Sequence, residues 1–249
     1  MNLKRFTSII RYLSWAAPFY KWKIRKNECP LCGESFFIYL NNDPFMIRCL
    51  KCKGNITNLA LIPVIKEFIK GDFNSSVYEL SSYGATLDYL KLHFKNVVVS
   101  EYFQNEKLGD YVNNILNQDV QNLTFRDNMF DLITSSQVFE HVENDIKGFS
   151  ECYRVLNKGG VFLFSVPLYN TEKTIKIASI IEGEIKFKGE PEYHDSRLGG
   201  VNSAPVFYRH SKNDICERVK SVGFLEVGLR EVYIVKNQKE PQLVVYAIK

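Results

Sequence analysis

Apolar and polar positions change their rhythm along this chain. From residue 76 onward, short apolar runs alternate with segments of helical period. Residues 76–80 (SVYEL) read as a strand, 81–85 as a small-residue turn, and 86–95 as a helix with Leu87, Leu90 and Phe94 on one side. Residues 96–101 (NVVVSE) read as a buried strand ending in an acid. A third strand is expected within 114–120 and a fourth over 130–135 (FDLITS). Residues 145–156 have helical period, 157–160 (NKGG) read as a turn, and 161–167 (VFLFSVP) as a fifth strand. This alternation predicts an α/β fold with a largely parallel sheet covered on both faces. Near the end, a helix over 213–222 precedes strands over 225–235 and 243–248. These two strands lie too close for a helical crossover, so an antiparallel edge is expected.

The first part of the chain follows other rules. Phe6, Ile9, Ile10, Leu13, Ala17 and Tyr20 share one helical face, opposite Arg11, Ser14, Lys21 and Arg25. An amphipathic helix is expected over 1–26, docked on its own protein, on a partner or on a membrane surface. A small module is expected over 27–56, with hairpin strands over 35–40 (SFFIYL) and 45–49 (FMIRC) flanking the turn residues 41–44. A linking helix over 56–70 and a large domain over 57–249 follow.

The small module carries the sharpest chemical signal. Cys29 and Cys32, then Cys49 and Cys52, form two C-x₂-C pairs, the spacing of a four-thiolate zinc site. Four thiolates fill a tetrahedral zinc ion and leave no open position, so the ion is expected to be structural. Two disulfides or four free thiols are the alternatives. A hairpin this small builds little core, so a metal would supply much of its folding energy.

Charge refines this picture. The net charge of +4 over 249 residues hides an asymmetry: residues 1–56 carry +7 and residues 57–249 carry −3. Zinc with four thiolates would leave the first part near +5. A basic module on a mildly acidic body fits an anionic partner, with a merely solvated basic surface as the alternative. Reduced thiolates predict a cytoplasmic protein. The apolar stretch near the start is interrupted by Arg11, Pro18, Lys21 and Lys23, so neither a transmembrane span nor a signal peptide is expected.

In an open α/β sheet, ligands bind at the carboxyl ends of the strands, where strand order reverses. Four features fall there: the small-residue turn 81–85, Glu101 ending the second strand, Asp119 with Val120 after the third, and Ser135, Ser136 and Gln137 after the fourth. A strand-end carboxylate suits ribose hydroxyls, and an acid beside an apolar residue suits an adenine. Each also has a structural reading: an ordinary turn, an exposed acid, a turn-starting Asp.

Residues from about 76 to 166 resemble the Rossmann-like S-adenosylmethionine-dependent methyltransferases (class I, methyltransferase type 11-like). The motifs that carry the resemblance are Val77-Tyr78-Glu79-Leu80-Ser81, Asp119-Val120, 130–135 with Val138-Phe139-Glu140-His141-Val142, and Tyr153-Arg154-Val155-Leu156-Asn157-Lys158-Gly159-Gly160. It extends to members with a preceding cysteine-rich ribbon and with Pro191-Glu192-Tyr193-His194-Asp195 in a later insertion. The resemblance implies that Glu79 and the turn through Ser81 and Gly84 hold the methionine end of the cofactor. It implies Glu101 on the ribose, Asp119 and Val120 at the adenine, and Ser135 beside the methionine portion. One departure is visible: Ser81, Tyr83 and Ala85 occupy the usual small-residue places and Gly84 falls between them, so a turn reshaped around Gly84 is expected.

Methyl transfer needs alignment and sometimes a base, and His141, Tyr193 and His194 are the candidate catalytic residues. The last two lie in 182–209, read as an irregular lid over the substrate. The expected function is methyl transfer from S-adenosylmethionine to a small-molecule, sugar-derived or lipid-linked acceptor, with a structural zinc. The alternatives are a nucleic-acid methyltransferase or binding protein using the basic ribbon, and a catalytically silent scaffold. The ribbon lacks the dense basic and aromatic interleaving of a dedicated nucleic-acid reader.

Overall fold

The computed structural model describes residues 22–70 and 74–249. The chain enters on β1 (Lys23–Cys29), which pairs antiparallel with β2 (Gly33–Tyr39), and β2 pairs with β3 (Ile47–Cys49). The helix expected over 1–26 lies outside the described residues up to position 21, and its last four positions are strand, not helix. The cause is cross-strand pairing. Lys26 meets Glu34 at 3.0 Å, and the Arg25 guanidinium lies 5.6 Å from the Tyr39 ring.

The linking helix also differs from expectation. It is two helices, α1 (Ile56–Leu59) and α2 (Leu61–Phe68), joined at Ala60. Pro63 has no N–H to offer the Leu59 carbonyl, so a continuous ladder cannot run through it. Asn55 caps α1 by accepting from the Asn58 N–H at 2.8 Å.

The sheet then builds in sequence: β4 (Ser76–Glu79), helix α3 (Ala85–His93), β5 (Asn96–Glu101), β6 (Tyr111–Val112), β7 (Ile115–Asn117) and β8 (Phe130–Ser136). Helix α4 (Asp145–Val155) leads directly into β9 (Leu156–Ser165). The expected turn over 157–160 lies inside β9, where it registers as a slip: Phe130 faces Leu156, yet Leu132 faces Val161. Two glycines let the backbone bulge there without leaving the sheet.

After β9 the chain leaves the sheet for β10 (Leu168–Tyr169), β11 (Ile175–Lys176), β12 (Ala178–Ile181), β13 (Glu184–Phe187), β14 (Tyr193–Ser196), β15 (Gly200–Pro205) and β16 (Tyr208–Ser211). The segment expected as irregular is thus mostly hairpin: β12 pairs with β13 and β14 with β15. Its strands are half-exposed and carry Gly, Asn and Pro, which erases the alternation that would reveal them. Helix α5 (Ile215–Lys220) then returns the chain to β17 (Glu226–Val232) and β18 (Gln242–Ile248).

The eight-stranded sheet has the order β17-β18-β9-β8-β4-β5-β7-β6. Strands β9, β8, β4, β5 and β7 run parallel, while β18, β17 and β6 join antiparallel at the two edges. Strand order reverses between β4 and β8. One sheet face packs on α1, α2 and α3, and the core there continues into the ribbon through Cys29, Phe37, Ile47 and Cys49. The other face packs on α4 and α5 around Phe139, Phe149, Phe162 and Phe164. The Phe139 and Phe149 rings stack at 4.6 Å. The ribbon therefore shares a core with the sheet domain and is not a free appendage. Among the described residues, no helix is long and apolar enough to cross a membrane.

Candidate functional site

A cleft of about 610 Å³ opens at the carboxyl ends of β4 and β8. That is the switch point of the sheet. Glu79 ends β4 and lines the cleft, yet it is only 1 % exposed. It accepts a hydrogen bond from the Thr134 hydroxyl of β8. Burial, with a smaller push from the Glu101 charge, raises the Glu79 carboxyl to about 8 against the Thr134 bond.

The turn after β4 bends at Gly84, which has a φ of +110° and starts α3. A Cβ at Gly84 would come within 2.9 Å of the Asn58 amide nitrogen. Gly84 thus combines a left-handed backbone with a close approach by α1, both of which favour glycine. Tyr83 lines the cleft and is partly exposed, with the Arg197 guanidinium of the insertion 4.8 Å from its ring. Its bulk is directed to the insertion. The ribbon presses on the same turn: a Cβ at Gly54 would meet that of Ala85 at 2.7 Å.

Glu101, at the end of β5, reaches back to this turn. Its Oε1 accepts from both the Ser82 N–H and the Ser82 hydroxyl at 2.8 Å. Asp119 behaves as a turn-starting residue, with Oδ1 accepting from the Gln121 N–H at 2.8 Å. Val120 is buried against Gly148 and the ring of Phe139 neighbours it there. Glu101, Asp119 and Val120 lie at the adjoining strand ends and do not line the cleft itself. Ser135 is fully buried and its hydroxyl has no hydrogen-bond partner. Gln137 follows at a φ of +57°, held by its N–H to the Ser165 carbonyl at 2.8 Å. A non-glycine residue held there is a local strain of the kind functional sites store.

Across the cleft stand His141, Tyr193 and His194. His141 Nδ1 bonds the Pro205 carbonyl at 2.7 Å, and its Nε2 lies 3.2 Å from His194 Nδ1. Burial pulls the His141 imidazole down to about 4, and it lowers His194 as well. Glu140 sits behind them, 1 % exposed, and burial pushes its carboxyl up to about 8. In the sequence Glu140 stands only within the motif Val138–Val142, and its place beside His141 is the available signal.

The ribbon forms the cleft's remaining wall through Phe45, Arg48 and Lys53. The four cysteines converge beside this wall, and Cys52 itself lines the cleft. Cys29 Sγ lies 3.7 Å from Cys52 Sγ, and Cys32 Sγ lies 3.5 Å from Cys49 Sγ. A disulfide needs about 2.05 Å, so neither pair is bridged. A tetrahedral ion with bonds of about 2.3 Å separates its sulfurs by about 3.8 Å, and these distances suit it. Without a cation the thiols compete: the Cys52 bond draws Cys29 down to about 5, while burial lifts Cys32 to about 11.

A parallel α/β sheet with a switch-point cleft and a buried acid ending β4 is the architecture expected of a Rossmann-like fold. Residues 70–164 match the family model described as a methyltransferase domain. Over those residues the chain carries a methyltransferase domain, and it is an enzyme. Among solved structures, it is similar to an S-adenosylmethionine-dependent methyltransferase from Mesorhizobium loti, at 18% identity and a TM-score of 0.51, covering 76% of this chain and 98% of the other. That likeness shows the fold. A methyltransferase from Aquifex aeolicus matches at 18% identity and a TM-score of 0.43, over 75% and 87% of the two chains. A Burkholderia thailandensis 1,6-didemethyltoxoflavin-N1-methyltransferase, solved with S-adenosylhomocysteine, matches at 12% identity and a TM-score of 0.47, over 71% of each chain. A comparison with curated proteins found no match.

Proposed function

We propose that the switch-point cleft binds S-adenosylmethionine and delivers its methyl group to a small-molecule, sugar-derived or lipid-linked acceptor bearing an anionic group. The observation that carries this reading is the two-sided cleft. Glu79, Ser81 and Gly84 face it from the sheet side, and His141, Tyr193 and His194 face it from the insertion. In this reading Glu79 and the turn through Gly84 receive the methionine end. Ser135, which is buried next in sequence to the cleft-lining Ser136 and has an unpartnered hydroxyl, would stand near the methionine portion. Glu101 would take the ribose with the carboxylate oxygen that Ser82 leaves over. Val120 would pack on the adenine, and Asp119 would meet its amino group from the turn it starts.

Displacement at a sulfonium carbon needs the nucleophile in line with the breaking bond. His141, Tyr193 and His194 would position that nucleophile. Arg48 and Lys53 at the ribbon edge would meet an anionic group of the acceptor, while Asp43, Asp88 and Asp195 line other parts of the same cleft. The domain organisation we propose is a zinc ribbon over 27–56 that walls a methyltransferase domain over 57–249, in a protein of the cytoplasm. The four cysteines would hold one zinc without bound water. The ion would fix the ribbon and take no part in transfer.

Calorimetric titration with S-adenosylmethionine and with S-adenosylhomocysteine tests the reading. One site per chain is expected for each. Absence of heat with both would leave a scaffold. Tight, salt-sensitive binding to RNA would move the acceptor to nucleic acid.

A further inference from the structure

One cluster in the cleft is not explained by cofactor binding. Glu140 is 1 % exposed, and both of its carboxylate oxygens lack a hydrogen-bond partner. Leaving a buried carboxylate unpaired is costly, and a bound cation is one of the few remedies. Its neighbours are two imidazoles. His141 Nε2 lies 3.8 Å from Glu140 Oε1 and 3.2 Å from His194 Nδ1. One ligand atom from each of the three residues lies within 4.8 Å of the other two.

We propose that Glu140, His141 and His194 form a second metal site, distinct from the cysteine cluster, which takes a first-row divalent transition ion. Two imidazoles and one carboxylate are a donor set such ions favour, with coordination positions left open. Bonds of about 2.0–2.1 Å in a tetrahedron separate ligand atoms by about 3.3 Å; the two histidines already stand at 3.2 Å, and Glu140, 3.8 Å from His141, would close in on the ion. The supporting contacts also fit. His141 Nδ1 donates to the Pro205 carbonyl at 2.7 Å, which leaves its Nε2 lone pair for a metal. His194 Nε2 lies 3.9 Å from Glu192 Oε1, which would orient the second ring. The Phe207 N–H bonds the Glu140 carbonyl at 2.8 Å and ties the insertion to this motif.

The two histidines line the cleft and Glu140 lies behind them, so the open positions face the acceptor. This deepens the proposed methyl transfer and rests on it for the choice of acceptor. The two imidazoles then act through the ion, and the fitting acceptor is a hydroxyl compound. Bound to the ion, the hydroxyl loses its proton to solvent more readily. The oxygen electron pair forms the O–CH3 bond and the C–S pair returns to sulfur, giving S-adenosylhomocysteine.

The test is cobalt(II) titration of the full chain, read by visible absorption. A nitrogen–oxygen site gives ligand-field bands without the thiolate-to-cobalt charge-transfer absorption of a cysteine site. The parent should show one such nitrogen–oxygen equivalent. His194→Ala, at a half-exposed ring, should weaken it at least ten-fold, and Glu140→Gln, of the same shape, should do likewise. Both variants should keep the parent's circular dichroism. A parent that shows thiolate-type cobalt alone, or variants that bind cobalt like the parent, would overturn the site. S-Adenosylhomocysteine titrated into the same samples separates the two readings. Cobalt binding without nucleoside binding keeps the metal site and removes the methyl-transfer role; the reverse removes only the metal.

Discussion

Glu79 and Glu101 are both strand-end carboxylates, yet the fold treats them differently. Glu101 is held by two donors from Ser82, in the turn whose Ser81, Tyr83 and Gly84 line the cleft. If it also holds the ribose, Glu101→Ala should weaken S-adenosylmethionine binding by about 1–3 kcal/mol, as expected for charge-assisted hydrogen bonds. Unchanged affinity by calorimetry would remove it from the site. Glu79 is buried and raised from 4.5 to about 8, first by desolvation. A carboxyl whose folded value lies above its unfolded one stabilises the protein most at low pH. That contribution fades as pH climbs from about 4.5 through about 8. The ligand-free Glu79→Gln variant should therefore lose less stability than the parent between those limits. Urea melts at several pH values would show it, and parallel parent and variant curves would refute it.

At the scale of elements, the insertion is built rather than loose. Hairpin β14–β15 places Tyr193 and His194 on the cleft, and Pro205 at its end anchors His141. Beyond it, Phe207, Tyr208 and His210 are buried, so the segment through Arg209 is not removable as a whole. Replacing only the β14–β15 hairpin by a short turn should abolish turnover while S-adenosylmethionine affinity stays within a few-fold. Retained turnover would show that the hairpin does not serve the acceptor. The parallel core was legible because its strands and helices repeat at fixed periods: β5 and the start of α4 fall where the pattern put them. The insertion hairpins were not legible, since exposed two-stranded elements need no apolar alternation. On the sheet side the proposed site was legible, because Glu79 ends a strand and Gly84 lies in the turn after it. The grouping of Glu140 with His141 and His194 was hidden because His194, and the Pro205 carbonyl that holds His141, are distant in sequence and met only through the fold.

On the scale of the whole molecule, the ribbon and the sheet domain are one packing unit. Phe37 and Cys49 share a core with Ile62 and Leu163, and Gly54 abuts Ala85 at the start of α3. Loss of the proposed zinc should then be felt beyond the ribbon. Cys49→Ser is expected to reduce zinc from about one per chain at the cysteine cluster to none and to lower the melting temperature of the entire domain. Metal analysis with a thermal melt checks this. A parent that folds fully without metal, with all four ribbon thiols open to alkylation, would contradict it. Arg48 and Lys53 lie on this same unit, so the variant should also lose preference for an anionic acceptor.

The most direct measurement is a crystal structure of the full chain with S-adenosylhomocysteine. The nucleoside should lie across the carboxyl ends of β4 and β5, with its ribose on Glu101 and its sulfur directed at Tyr193 and His194. A ligand bound elsewhere, or one whose sulfur faces away from His141 and the insertion, would contradict methyl transfer in this cleft.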